Sequence, residues 1–204
     1  MKPLAALIAL LILAAPAARA DCVVLLHGLA RTSSAMETLQ MALEDRGYIV
    51  ANVDYPSRDK PIEELSDIAV ESGSQTCRQQ TDGQVHFVTH SLGGILVRYY
   101  LEHKPIENLG HVVMIAPPNH GSEIVDNLAA VPGFSLIMGP AGSQLGTDEN
   151  SIPLQLGPVH YSVGILAGTR SINPFLSSYL AKPDDGKVSV ASTKVEGMTD
   201  FRTV

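Results

Sequence analysis

The sequence predicts an α/β fold, a mostly parallel sheet with helices on both faces. Three observations carry this. Short apolar runs recur at 22–26, 48–53, 85–89, 111–116 and 161–167. Segments of helical periodicity lie between them, and glycine- or proline-bearing turns separate the two kinds. No internal repeat and no second domain interrupts the rhythm.

The run 22–26 (CVVLL) is continuous, as in a strand buried on both faces. His27-Gly28-Leu29-Ala30 makes a turn. Thr32, Ser33 or Ser34 caps a helix to about Arg46, with Met36, Leu39, Ala42 and Leu43 on one face, and Gly47 ends it. After the strand 48–53 and the turn Asp54-Tyr55-Pro56-Ser57, Pro61 opens a helix whose inner face is Ile62, Leu65, Ile68 and Ala69. The strand 85–89 passes through a tight turn, His90 to Gly93, into a helix from Gly94 to about His103. Strands at 111–116 and 161–167 follow, with a looser stretch rich in glycine and proline over 121–160.

Composition narrows the function. The 204 residues hold 14 Lys+Arg against 21 Asp+Glu, a formal charge of −7, so no nucleic-acid partner is expected. The absence of Trp, with only 6 Tyr and 4 Phe, supplies few stacking surfaces. Lys2, the apolar run 4–15 and Ala18-Arg19-Ala20 read as a signal peptide over residues 1–20, too short for a stable span of a bilayer, which takes about 20 residues. A membrane anchor or a buried helix is the alternative. Cleavage after Ala20 leaves one domain, 21–204, exported to the periplasm or the medium. In that oxidising compartment Cys22 and Cys77 are expected to pair, closing a loop of about 56 residues worth roughly 4 kcal/mol in the chain-entropy model. Two buried thiols are the alternative. No histidine or cysteine spacing fits a metal site, no phosphate-binding loop is present, and no cofactor is expected.

The chemistry gathers at Thr89-His90-Ser91-Leu92-Gly93. A serine between an apolar strand and an amphipathic helix sits on a strained turn whose neighbours must be small. Thr89 departs from the glycine usual there. Ser91 at a helix N-terminus faces unpaired N–H groups that favour developing negative charge. A second N–H comes from the other strand-to-glycine turn, so Leu29 and Leu92 are the expected oxyanion donors, with Gly28 letting the backbone bend. A plain turn at His27-Gly28 is the alternative.

Together, His27-Gly28-Leu29 after the first strand, His90-Ser91-Leu92-Gly93-Gly94 at the elbow and Ala116-Pro117-Pro118-Asn119-His120-Gly121-Ser122 resemble bacterial secreted lipases and esterases of the α/β-hydrolase superfamily. The resemblance spans nearly all of 22–193. It implies a Ser-Asp-His triad in that chain order, an ester or lipid substrate, and a small cap formed by 121–160. The segment 183–190 resembles the family's acid-bearing loop, which assigns Asp185 as the acid. Asp184 is the runner-up and a solvated Asp-Gly turn the alternative.

The histidines are 27, 86, 90, 103, 111, 120 and 160, and none follows Asp185. The family's base follows the last strand. The sequence therefore reads as ending at the opening of that strand, with its remainder, the histidine loop and the closing helix missing. His120 is the alternative base, while His27 and His90 shape the site. The expected activity is hydrolysis of carboxylic esters through an acyl-serine. A non-enzymatic protein of the same fold binding a lipid or partner, or an acyltransferase, is the alternative.

Overall fold

The computed structural model describes residues 19–171 and 173–204. The expected signal peptide lies outside the described residues except for Arg19 and Ala20. Six strands form one wholly parallel sheet: β1 (Cys22–Leu26), β2 (Ile49–Val53), β3 (Val85–His90), β4 (Leu109–Ile115), β5 (Val163–Ala167) and β6 (Asp200–Thr203). Their order is β2-β1-β3-β4-β5-β6. The chain moves from β1 to β2 on one side, then crosses back to β3 on the other. The carboxyl ends of β1 and β3 therefore flank a topological switch point, where α/β sheets open a crevice. Asp200–Thr203, read from the sequence as the opening of the last strand, pair in parallel with Gly164–Ala167.

Helices cover both faces, unequally. On β1, Val23 and Leu25 face α1 (Glu37–Glu44), packing with Met36, Leu39 and Leu43. Cys22, Val24 and Leu26 face the larger core under α2 (Ile62–Ser66), α3 (Ser72–Gln80) and α4 (Leu92–His103), with Ile62, Leu65, Ile95 and Leu96. Only β1 is buried along its whole length. On β3, Phe87 is fully buried while His86, Val88 and His90, on the opposite face, are half-buried.

Two local expectations change. The helix opened by Pro61 runs on to Gln80 through a π-helical turn at Asp67–Glu71. The wider turn rotates Ile68 outward to 39 % exposure and buries Val70 in its place, while Ala69 is buried as expected. Ahead of α1 the chain makes a 3-10 turn, Ser33–Met36, and Thr32 Oγ1 bonds Ser34 Oγ rather than capping the helix. The disulfide forms: Cys22 and Cys77 tie the start of β1 to α3 with Cα atoms 5.6 Å apart.

The stretch 121–160 holds α5 (Glu123–Leu128), α6 (Phe134–Ser143) and α7 (Ile152–Gln155). Gly139, at φ 68°, kinks α6 before Pro140. Two short helices, α8 (Pro174–Ser177) and α9 (Val190–Thr193), bracket the loop that carries Asp184 and Asp185.

Candidate active site

Ser91 joins β3 to α4 with φ 51° and ψ −118°. A non-glycine residue here is strained by about 1–3 kcal/mol and persists only when its surroundings fix it. They do. Ser91 N–H donates to Ile115 O on the neighbouring strand, and Ser91 O accepts from Gly94 N–H. A Cβ on Gly93 would stand 2.8 Å from Leu26 O and 3.0 Å from His27 O, so only glycine lets α4 approach β1. Thr89 is accommodated the same way: a Cβ on Gly94 would lie 3.3 Å from its Oγ1, and Thr89 is fully buried. The space that glycine at 89 would supply comes from Gly94.

The register Leu26↔Thr89 sets the His27-Gly28 turn beside His90-Ser91. A Cβ on Gly28 would lie 2.7 Å from His90 Nδ1 and 3.3 Å from Ser91 Cβ. His27 is fully buried behind this turn. Its Nδ1–H donates to Gly28 O at 2.9 Å, which leaves Nε2 to accept the Tyr55 N–H at 3.3 Å. That is the neutral ring, and burial holds its pKa below the ordinary value. Tyr55, fully neutral because burial pushes its phenol up, donates from its hydroxyl to His27 O. Ala30, at φ 55°, donates its N–H to Ser57 Oγ. Among the described residues, neither Leu29 N–H nor Leu92 N–H meets a backbone acceptor.

The two aspartates separate cleanly. Asp184 is buried, and its carboxylate accepts from Ser177 Oγ at 2.8 Å, Gly186 N–H at 2.7 Å and Lys182 Nζ. Burial pushes its pKa up, but these hydrogen bonds outweigh it and hold the carboxyl below the ordinary range. It staples its own loop. Asp185 is half-buried at the carboxyl end of β5, where a Cβ on Gly168 would meet its Cβ at 2.8 Å. Its Oδ1 accepts from Lys187 N–H and Val188 N–H.

Ser91 opens into a cavity of about 370 Å³. Leu29, His90, Pro118, Ser122 and Lys187 share its wall with the cap residues Val125, Leu128, Phe134 and Met138. His120 is exposed and does not line it; its backbone N–H donates to Ser192 O. Burial, then the charge of Lys187, lowers the pKa of His90, against the pull of Asp185. Among the described residues no three of His, Cys, Asp and Glu cluster as metal ligands do. No helix among them is long and apolar enough to cross a membrane.

Two positioning residues escaped the sequence. Tyr55 is one. Arg98 is the other: buried in α4, it donates to Asn119 O and Oδ1 and to the carbonyls of Leu156 and Gly157. Asn119 Nδ2 in turn donates to Thr193 O, and Ser122 Oγ to Lys187 O. The Asn119-His120-Gly121-Ser122 loop thus couples α4, which Ser91 opens, to the loop that carries Asp185. The signal was present in an arginine set mid-helix among Ile95, Leu96, Val97, Tyr99 and Tyr100, where a charge needs partners.

A strained serine at a strand-to-helix turn, at the switch point of a parallel sheet, defines the architecture of a hydrolase fold. The family model for the alpha/beta hydrolase family matches residues 23–193, and the chain belongs to that family. No protein with a curated description matches it. Among solved structures, the mature form of a Bacillus licheniformis lipase superposes with a TM-score of 0.67 at 19% identity, covering 89% of this chain and 82% of that one. A metagenomic carboxyl esterase gives 0.66 at 19% identity over 89% of this chain and 62% of its own. A Legionella pneumophila phospholipase in complex with thio-NAD gives 0.65 at 21% identity over 85% and 44%. The chain thus spans less than half of the phospholipase.

Proposed function

We propose that the protein is a serine hydrolase of carboxylic esters, acting through an acyl-serine on Ser91. The observation that carries this is the strained Ser91 backbone opening into an apolar cavity that also exposes Leu29. Ser91 Oγ attacks the acyl carbon as its proton passes to a base, the acyl–alkoxy bond breaks as the alcohol leaves with that proton, and water then releases the acid from the acyl-serine. During attack the carbonyl oxygen gathers charge against the N–H groups of Leu29 and Leu92. Gly28 and Gly93 allow that approach. Asp185 orients a histidine and stabilises its charged form, while His27 and His90 shape the surroundings and His120, exposed and outside the cavity wall, does not. The family resemblance places that histidine after the last strand, and the chain has none after Asp185. The same resemblance supports an exported domain, 21–204, released from a leader over 1–20, and the Cys22–Cys77 bridge fits an oxidising compartment.

The test is labelling of the expressed chain with a fluorophosphonate, read by peptide mass spectrometry, with and without added imidazole. The expected label is on Ser91, slow alone and faster with imidazole, and absent in Ser91→Ala. Labelling that survives Ser91→Ala overturns the assignment. Rapid labelling without imidazole, or ester turnover of about 1 s⁻¹ or more, places the base within the chain, and His120→Ala and His90→Ala then identify it. The second reading is a non-enzymatic protein of this fold that binds a lipid in the same apolar cavity. It predicts ligand binding with no label at Ser91 under either condition.

A further inference from the structure

We propose that the Ser91 cavity takes an amphiphilic ester whose acyl chain is apolar and whose alcohol part carries an anionic group, phosphate or carboxylate, held between Arg31 and Lys187. This rests on the ester reading of the site and adds the substrate class.

The cavity wall is apolar at the cap, through Ile124, Val125, Leu128, Phe134 and Met138. Its charged lining residues are Arg31 and Lys187, both cationic, on a chain of net charge −7. Arg31 follows β1 and Lys187 follows β5, and these strands lie on either side of β3, which delivers Ser91. The two cations therefore flank the nucleophile. Arg31 stands two residues past Leu29, so their Cα atoms lie within about 7 Å of each other. A carbonyl oxygen held by Leu29 N–H brings the ester's substituents within reach of the Arg31 side chain.

Neither cation is spent inside the protein. No salt bridge or side-chain hydrogen bond engages Arg31 Nη or Lys187 Nζ among the described residues. The neighbouring acids are committed elsewhere or lie to one side. Asp185 Oδ1 accepts two backbone N–H groups, of which one is that of Lys187 itself. Asp54 accepts Ser33 N–H and faces His27, and with Asp59 and Arg58 it lines the adjoining polar cavity, whose wall Arg31 shares without a salt bridge to either acid among the described residues. The field of both cations reaches the elbow, since Lys187 and Arg31 each help lower the pKa of His90. A guanidinium offers a fork to phosphate or carboxylate, and an ammonium a point charge.

Binding is measured on Ser91→Ala, so loss of the nucleophile assignment leaves the result standing. The probes are non-hydrolysable and used below their micelle concentrations: octyl phosphate, octyloxyacetate and the neutral octyl glyceryl ether. Calorimetry should show an anion bound about tenfold more tightly than the neutral ether, with the preference falling as salt rises. Arg31→Gln and Lys187→Gln should each reduce the preference about threefold, the scale of one exposed charge contact, and together abolish it. Preference for one anion alone identifies the group as phosphate or carboxylate. Equal binding of the neutral ether and both anions, or a preference that survives the double variant, overturns the proposal.

Discussion

The imidazole of His27 and the phenol of Tyr55 stack with centroids 4.0 Å apart and planes 9° from parallel. Tyr55 also donates twice to His27, from its hydroxyl to the carbonyl oxygen and from its N–H to Nε2. The turn that presents Leu29 is thereby fixed from behind. Tyr55→Phe keeps the stack and removes the hydroxyl, leaving His27 O buried without that donor. The expected cost is about 1–3 kcal/mol in a denaturant melt. Labelling of Ser91 by a fluorophosphonate should slow severalfold, with the apparent affinity for the probe unchanged. An unchanged labelling rate would show that the hydroxyl does not position the Leu29 turn.

Stability should depend on pH through His27. Its folded pKa lies below the ordinary value of 6.5, chiefly because of burial. The unfolded chain then binds more protons near and below that value, so stability rises with pH there. The stabilisation is present above 6.5 and is lost as pH falls below it. His90 contributes in the same direction. His27→Gln, which stays neutral, should flatten the dependence of unfolding free energy between about pH 5 and 7 even if it lowers stability throughout. A slope equal to the parent's would remove His27 as the source.

Asp184 and Asp185 should separate by phenotype. Asp184→Asn disrupts a buried carboxylate that takes hydrogen bonds from Ser177, Gly186 and Lys182, and should cost about 1–3 kcal/mol. Asp185→Asn keeps an oxygen for the N–H groups of Lys187 and Val188, so stability should change by less than about 0.5 kcal/mol. If Asp185→Asn proves the more destabilising in paired melts, the roles are reversed.

Gly93→Ala should destabilise by about 1–3 kcal/mol, since its Cβ meets backbone oxygens of Leu26 and His27 that no rotamer change can move. Ser91 labelling should fall with it. Gly157→Ala is the control, with nothing within 4 Å of the added carbon. Equal melts for the two variants would show that α4 shifts freely.

Much of this architecture was legible in the residues. The apolar runs 22–26 and 85–89 and the glycine turns after them required buried parallel strands feeding backbone turns, and Ser91-Leu92-Gly93 required an elbow. These signals are local, because burial and turn chemistry write themselves into composition. The pairing of Cys22 with Cys77 was legible as well, since one pair leaves one partner. Three things were decided only in three dimensions. Asp184 and Asp185 are identical in chemistry and adjacent in sequence, and only the loop's path buries one and half-exposes the other. Tyr55 and Arg98 act on residues 28 and 21 positions away, through contacts that exist once the strands register. The outward turn of Ile68 depends on a π-helical turn that packing selects and periodicity conceals.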